Sequence, residues 1–253
     1  MIVPPGESKS GVIEVENASE VTLSVKAYLQ DWAYTPAQDG SKNFYPPKAT
    51  PASCADWVKV SLSDFVIPAY SSQRINYTIQ VPSDAKGAYY AVLFFESNIS
   101  QFDLKNPAGM GVQVRIGALF FIEPEGTVTR VAELSDFSAR RSSSGDALEV
   151  AMNFKNTGNA DITTAGEFNI IDQEGMVYAR GAFNDVYTLP GDQAKVSASW
   201  KEALEPGNYD MILTFDLGRV LTEAGIGSGP VLTFEAPVSI GSGGEVVSVG
   251  ELK

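Results

Sequence analysis

The stretch whose reading decides the fold is Ile67–Glu96, IPAYSSQRINYTIQVPSDAKGAYYAVLFFE. It opens on a Pro-containing turn, Pro68-Ala69-Tyr70-Ser71-Ser72. Ile75, Tyr77, Ile79 and Val81 then alternate with Asn76, Thr78 and Gln80. A period of two puts one side of a strand in a core and the other in water. Pro82–Gly87 reads as a turn, and Tyr89–Phe95 as a second strand, apolar enough to be covered on both faces. The same order returns as Leu189–Asp216, LPGDQAKVSASWKEALEPGNYDMILTFD. A Pro turn is followed by an alternating strand (Ala194, Val196, Ala198, Trp200), a Pro-Gly turn, and a strand led by an aromatic (Tyr209, Ile212, Leu213, Phe215). A fixed-order repeat at this scale predicts two copies of one β fold.

The 253 residues suffice for two domains of ordinary size, each with its own core. Charged residues are 19% and aromatics 10%, the balance of a folded chain rather than a disordered one. The formal net charge is −13, a sign that disfavours nucleic acid and anionic membrane as partners. No apolar run is long enough to span a bilayer, so no membrane insertion is expected. Strand character begins almost at once behind Met1-Ile2-Val3-Pro4-Pro5-Gly6, as in an exported domain whose signal peptide has been removed. The expected location is therefore the periplasm or the cell surface.

Gly11–Asn17 and Val21–Trp32 read as strands joined by the tight turn Ala18-Ser19-Glu20, hence as a hairpin. Residues 33–56 contain four prolines and little periodicity, and unstructured loops of this length are often functional. Trp32, Tyr34, Phe44, Tyr45 and Trp57 in and beside it are a candidate grip on a protein or glycan. The plainer reading is a crossover whose rings plug one end of the barrel. Trp57–Leu62 is a short strand, and the strongly apolar Val112–Ile122 is the last strand of the first domain. Gly117 inside it predicts a bulge or a close backbone approach. Pro124-Glu125-Gly126 marks a border. Beyond it, Thr127–Ala139, Leu148–Phe154, Ile162–Ile171, Met176–Ala179 and Val231–Ile240 read as strands, and 217–229 as at most one helical turn. The fold class is all-β, two immunoglobulin-like β-sandwich domains in tandem at 1–125 and 126–240, with a flexible Gly/Ser tail at 241–253.

With these strands placed, the first domain resembles the amino-terminal domain of periplasmic pilus-assembly chaperones, the PapD-like sandwiches. The residues that carry the resemblance are Gly11–Asn17 as a core strand ending in an Asn turn, Ile67-Pro68-Ala69 before an alternating strand, Gly87-Ala88-Tyr89-Tyr90 leading an apolar strand, and Val112–Pro124 as an edge strand ending in proline. More loosely, the chain is similar to cell-surface proteins of the WxL-interacting type. The resemblance implies donor-strand complementation, in which an edge strand lends alternate apolar residues to a partner that lacks a strand. The corresponding residues here are Val112, Val114 and Ile116, continuing past Gly117 as Leu119 and Phe121. The family also holds its partner's terminal carboxylate with two basic residues. Here no Lys or Arg precedes Lys9, Leu119 falls at the proline-aligned lysine position, and Arg115 is the strand's one basic residue. The implied partner is another protein, a pilin-like or surface subunit, bound by a chaperone or assembly protein.

Enzyme chemistry finds little foothold. The chain has no histidine, which removes the commonest general base and metal ligand. Its one cysteine, Cys54, has no base beside it in sequence and cannot form an internal disulfide. Gly109-Met110-Gly111 lacks the third glycine and the helix of a dinucleotide site. Asp136 and Asp172–Glu174 read as solvated turn acids rather than calcium ligands. The expectation is a non-enzymatic protein with no cofactor and no metal.

Overall fold

Asn17 sits at the end of an alternating strand, is almost fully buried, and has no apolar surface to offer. Its carboxamide nitrogen donates to the carbonyls of Val21 (2.8 Å), Ile67 (3.1 Å) and Pro68 (3.0 Å). Its oxygen accepts from the amide (3.0 Å) and hydroxyl (2.6 Å) of Ser19. One side chain thus satisfies backbone groups of two separate turns, which a buried polar group must do to be tolerated.

The computed structural model describes residues 1–253 other than 101–110, 142–147, 203, 220 and 222–228. Two compact units are formed, one of Met1–Ala33 with Lys42–Val128, the other of Tyr34–Ser41 with Thr129–Lys253. The first contains β1 (Ile2–Val3), β2 (Ser8–Asn17), β3 (Leu23–Tyr34), β4 (Lys42–Tyr45), β5 (Val58–Val60), β6 (Asp64–Ile67), β7 (Ser71–Gln80), β8 (Tyr89–Ser100) and β9 (Gly111–Pro124). They make a sheet in the order β1-β9-β8-β3-β4, with β6 also on β3, and a three-stranded sheet β2-β7-β5. Ile75 and Ile79 of β7, Ala91, Leu93 and Phe95 of β8, and Phe120 and Ile122 of β9 meet in one core.

This topology corrects the expected hairpin. β2 pairs with β7 and β3 with β8, so the two strands belong to different sheets. Ala18–Val21 is a corner rather than a hairpin turn, and Asn17 pins it against the Ile67-Pro68 turn. Tyr70 donates its amide to Ser19 (3.2 Å) across the same corner, from a left-handed backbone at φ 53°.

The second unit contains β10 (Ala132–Arg140), β11 (Leu148–Asn156), β12 (Ile162–Thr163), β13 (Ala165–Ile171), β14 (Val177–Ala182), β15 (Tyr187–Thr188), β16 (Gln193–Trp200), β17 (Gly207–Asp216), β18 (Val231–Ile240) and β19 (Val246–Val249). Its sheets are β10-β11-β16, β14-β13-β17-β18-β19 and the small pair β12-β15. The pairings repeat those of the first unit. β11 lies on β16 as β2 lies on β7, and β17 lies between β13 and β18 as β8 lies between β3 and β9. The corner repeats too. Asn156, also buried, ends β11 and donates to Ala160 (2.9 Å) and Thr188 (3.4 Å), while its oxygen accepts the Gly158 amide (3.0 Å).

Two further expectations change. The Gly/Ser stretch 241–253 is no flexible tail: β19 adds to β18, and Lys253 and Glu235 exchange backbone hydrogen bonds of 3.0 and 3.1 Å. Its small apolar cluster supplies the reason, since Val246, Val249 and Leu252 pack against the second core. Tyr34–Ser41, expected within the first domain, belongs to the second unit. Tyr34 packs on Tyr187 (5.6 Å between centroids), and Gln38 bonds both the Tyr187 amide and, through its side chain, the Gln193 carbonyl. Gly40, at φ 90°, lies so close to the Tyr187 ring that a Cβ there would approach it to 3.2 Å. The helical turn expected within 217–229 falls largely outside the described residues.

Asn17→Ala removes the corner's donors and acceptor while leaving the surrounding carbonyls buried, so it should cost about 3 kcal/mol. Asn156→Ala should cost a similar amount in the second unit. Urea titration measures both, and a loss below about 0.5 kcal/mol would remove the corner from the account.

Candidate functional site

β8 is apolar from Tyr89 to Phe95 because both faces of that stretch are covered and both edges of the strand are paired. Toward the core point Ala91, Leu93 and Phe95. On the other face Tyr90, Val92 and Phe94 are equally buried. Trp32 covers Tyr90 (5.2 Å) and donates its indole N–H to the Ala91 carbonyl (3.2 Å). Phe121 packs on both Trp32 (5.1 Å) and Tyr90 (5.8 Å). Phe94 is capped by Phe44 (4.8 Å), Tyr28 (5.8 Å) and the guanidinium of Arg115, 4.0 Å from its ring centroid.

β9 runs antiparallel to β8 in one unbroken register, from Tyr89 opposite Ile122 to Ser100 opposite Gly111. The bulge expected at Gly117 does not form. The close approach does: a Cβ at Gly117 would come within 2.8 Å of Val92 and 2.9 Å of Phe94. The unbroken register corrects the predicted binding row. Val114 and Ile116 share a face with Ala118, Phe120 and Ile122, whereas Leu119 and Phe121 lie on the opposite face with Arg115 and Gly117. Val112 stands opposite Ile99 in the same ladder.

The other edge of β9 is paired only at its end. β1 runs parallel to it with Ile2 opposite Glu123 and Val3 opposite Pro124. The Met1 amino group donates to the Phe121 carbonyl. Among the described residues, no strand pairs with the outer edge of β9 from Gly111 to Phe120. Along that edge Val114 is 38% exposed, Ile116 64% and Leu119 40%. Phe121, by contrast, is half-buried under Trp32.

Three of the five rings of the alternative loop are taken up in packing. Trp32 is fully buried, Tyr34 belongs to the second unit, and Trp57 packs on Tyr89 (4.2 Å). Phe44 and Tyr45 remain 37% exposed each, with Phe44 seated on Phe94. Buried Asp31 orders the rest of this segment, accepting from the Thr50 amide (2.9 Å), the Thr50 hydroxyl (3.1 Å) and the Ser53 hydroxyl (2.6 Å). Lys42, which no sequence pattern marks, holds its ammonium 5.3 Å from the Trp32 centroid, and burial lowers its pKa from the ordinary lysine value. Only its place beside a conspicuous Trp-containing strand could have drawn attention to it. Asp172 caps its own turn through the amides of Glu174 (2.9 Å) and Met176 (2.8 Å), and Asp136 accepts from Asn153 (2.5 Å). Among the described residues no three His, Cys, Asp or Glu side chains converge as metal ligands. No helix among them is long and apolar enough to cross a membrane.

No family model and no curated protein sequence matches the chain. Solved structures do. A chain from a chaperone–tip adhesin complex of CFA/I fimbriae biogenesis is similar over 92% of both chains, with a TM-score of 0.51 and 13% identity. The class 5 fimbriae chaperone CfaA is similar over 92% of this chain and 93% of its own, with a TM-score of 0.50 and 14% identity. The fold is that of the PapD-like fimbrial chaperones, two immunoglobulin-like sandwiches in tandem.

Cys54 is fully buried, and burial, with Asp31 nearby as a lesser cause, pushes its thiol well above the ordinary range. Native protein should therefore react with iodoacetamide about 100-fold more slowly than urea-unfolded protein, even near pH 9. The unfolded thiol ionises near pH 8.5 while the folded one stays protonated, so this group makes stability fall as pH rises through that value. Rapid native alkylation would contradict the burial.

Proposed function

We propose that this protein binds an extended segment of another protein as an added strand along the outer edge of β9, as a non-enzymatic chaperone or assembly factor for exported surface structures. The observation that carries the reading is that edge, unpaired from Gly111 to Phe120 among the described residues and bearing exposed Val114, Ile116 and Leu119. Open apolar edges are aggregation hazards, and natural sheets blunt them with charges, prolines or covers. Here Arg115 is the only charge between Gly111 and Ile122, and no proline interrupts the run. An edge left so open is suited to strand addition, in which main-chain hydrogen bonds give affinity and alternate side chains give selectivity.

The fold neighbours support a protein partner. One comes from a chaperone–tip adhesin complex, which supports a pilin-like or surface subunit as the partner proposed here, met in the periplasm or at the cell surface. An adhesive grip by the aromatic loop has less to stand on, because Trp32, Tyr34 and Trp57 are occupied in packing.

A direct test uses synthetic eleven-residue peptides with Val or Ile at alternate positions and Thr between, read by fluorescence anisotropy. Wild-type protein should bind them. Ile116→Lys should weaken binding at least about tenfold, since a buried cation replaces an apolar contact, with little change in melting temperature because Ile116 is 64% exposed in the free protein. Val247→Lys, on an exposed strand of the second unit, should bind like wild type. Equal binding by all three proteins, or none by wild type, would overturn the reading.

A further inference from the structure

We infer that Arg115 selects an acidic side chain at the position directly opposite it in a strand added to β9. This rests on the strand-addition reading above and names a feature of the strand it takes. Because the β8–β9 register is unbroken, Arg115 projects from the face opposite Val114 and Ile116. It is exposed, yet held in place. Its guanidinium lies 4.0 Å from the Phe94 centroid and 5.4 Å from that of Phe44. Such stacking fixes the side chain and leaves the rim of the guanidinium open to bidentate hydrogen bonding.

The carboxylate nearest to it in the ladder takes its hydrogen bonds from neutral donors. Glu96 stands directly opposite Arg115 on β8. One of its oxygens accepts from the Tyr28 hydroxyl (2.6 Å) and the other from the Gln113 carboxamide (2.7 Å). Among the described residues no carboxylate forms an ion pair with Arg115. Arg115 therefore stands, without an ion-pair partner among the described residues, on a strand whose outer edge is unpaired, where the Cβ of a cross-strand neighbour would lie about 5 Å from its own.

The overall charge of −13 works against an acidic partner, but only at long range. Beyond about 8 Å it is largely screened at physiological salt, and Glu96 would lie two strand spacings, about 10 Å, from the incoming acid. Within one strand spacing the long, exposed Arg115 side chain is the nearer charge. The selected segment thus carries apolar residues facing Val114 and Ile116, and, on its other face, an acid facing Arg115.

The test places Asp, Asn or Lys at each Thr position of the alternating peptides in turn. At one position, wild-type protein should prefer Asp to Asn by about three- to fivefold and disfavour Lys. The Asp preference should shrink toward unity in 1 M NaCl. Arg115→Gln should abolish the preference while still binding the neutral peptide, and Arg115→Glu should reverse it in favour of Lys. Equal binding of Asp and Asn peptides at every position would overturn this inference and leave strand addition standing. Loss of the neutral peptide in Arg115→Gln would show that Arg115 acts by packing on Phe94, which also overturns it. No binding of any peptide by wild type would remove both readings.

Discussion

The ladder between β8 and β9 is the interaction on which the rest of this structure depends. It runs without a slip from Tyr89–Ile122 to Ser100–Gly111. Side chains alternate along a strand, so a single register assigns every residue of β9 to a face. That assignment buries Phe120 and Ile122 in the sandwich core, stacks Phe121 beneath Trp32, and sets Arg115 over Phe94. It also leaves Val114 and Ile116 at the margin of the sheet, where no described strand meets them. The same hydrogen bonds that fix one edge of β9 expose the other.

A second device is used twice. Asn17 and Asn156 each end the strand that begins its sandwich's crossing between sheets, and each reaches a carbonyl four residues ahead, at Val21 and Ala160. Each also bonds the segment that leads into the next alternating strand, at Ile67 and Thr188. A buried carboxamide whose donors and acceptor are used specifies a corner more sharply than an apolar side chain does, because displacing it strands several polar groups at once. The repeated corner and repeated strand pairing make the two sandwiches copies of one plan despite their different edges.

Most of this plan was legible in the sequence where the signal is periodic. The alternation of Ile75, Tyr77 and Ile79 and the unbroken apolar run at Tyr89–Phe95 placed β7 and β8, and their echo at 189–216 placed the second copy. What periodicity does not encode was lost. Adjacent strands usually pair, so β2 and β3 read as a hairpin, although the Asn17 corner sends them to different sheets. Gly117 read as a bulge or a close approach, because glycine interrupts a strand pattern, and only the second forms. In the structure its missing Cβ makes room for Val92 and Phe94, and the register runs on. That difference moved Leu119 and Phe121 to the other face from Val114 and Ile116. Tyr34–Ser41 joins the second unit through Tyr187 and Gln193, contacts more than 140 residues away that no local pattern records.

The open edge of β9 is the central claim, and amide hydrogen exchange of the purified protein, resolved by residue along Gly111–Phe120, tests it most directly. The account predicts alternation: amides bonded to β8 exchange slowly, and those pointing away from it exchange at rates near those of exposed loops. Uniform protection along the strand would show that its outer edge is already satisfied and would contradict the claim.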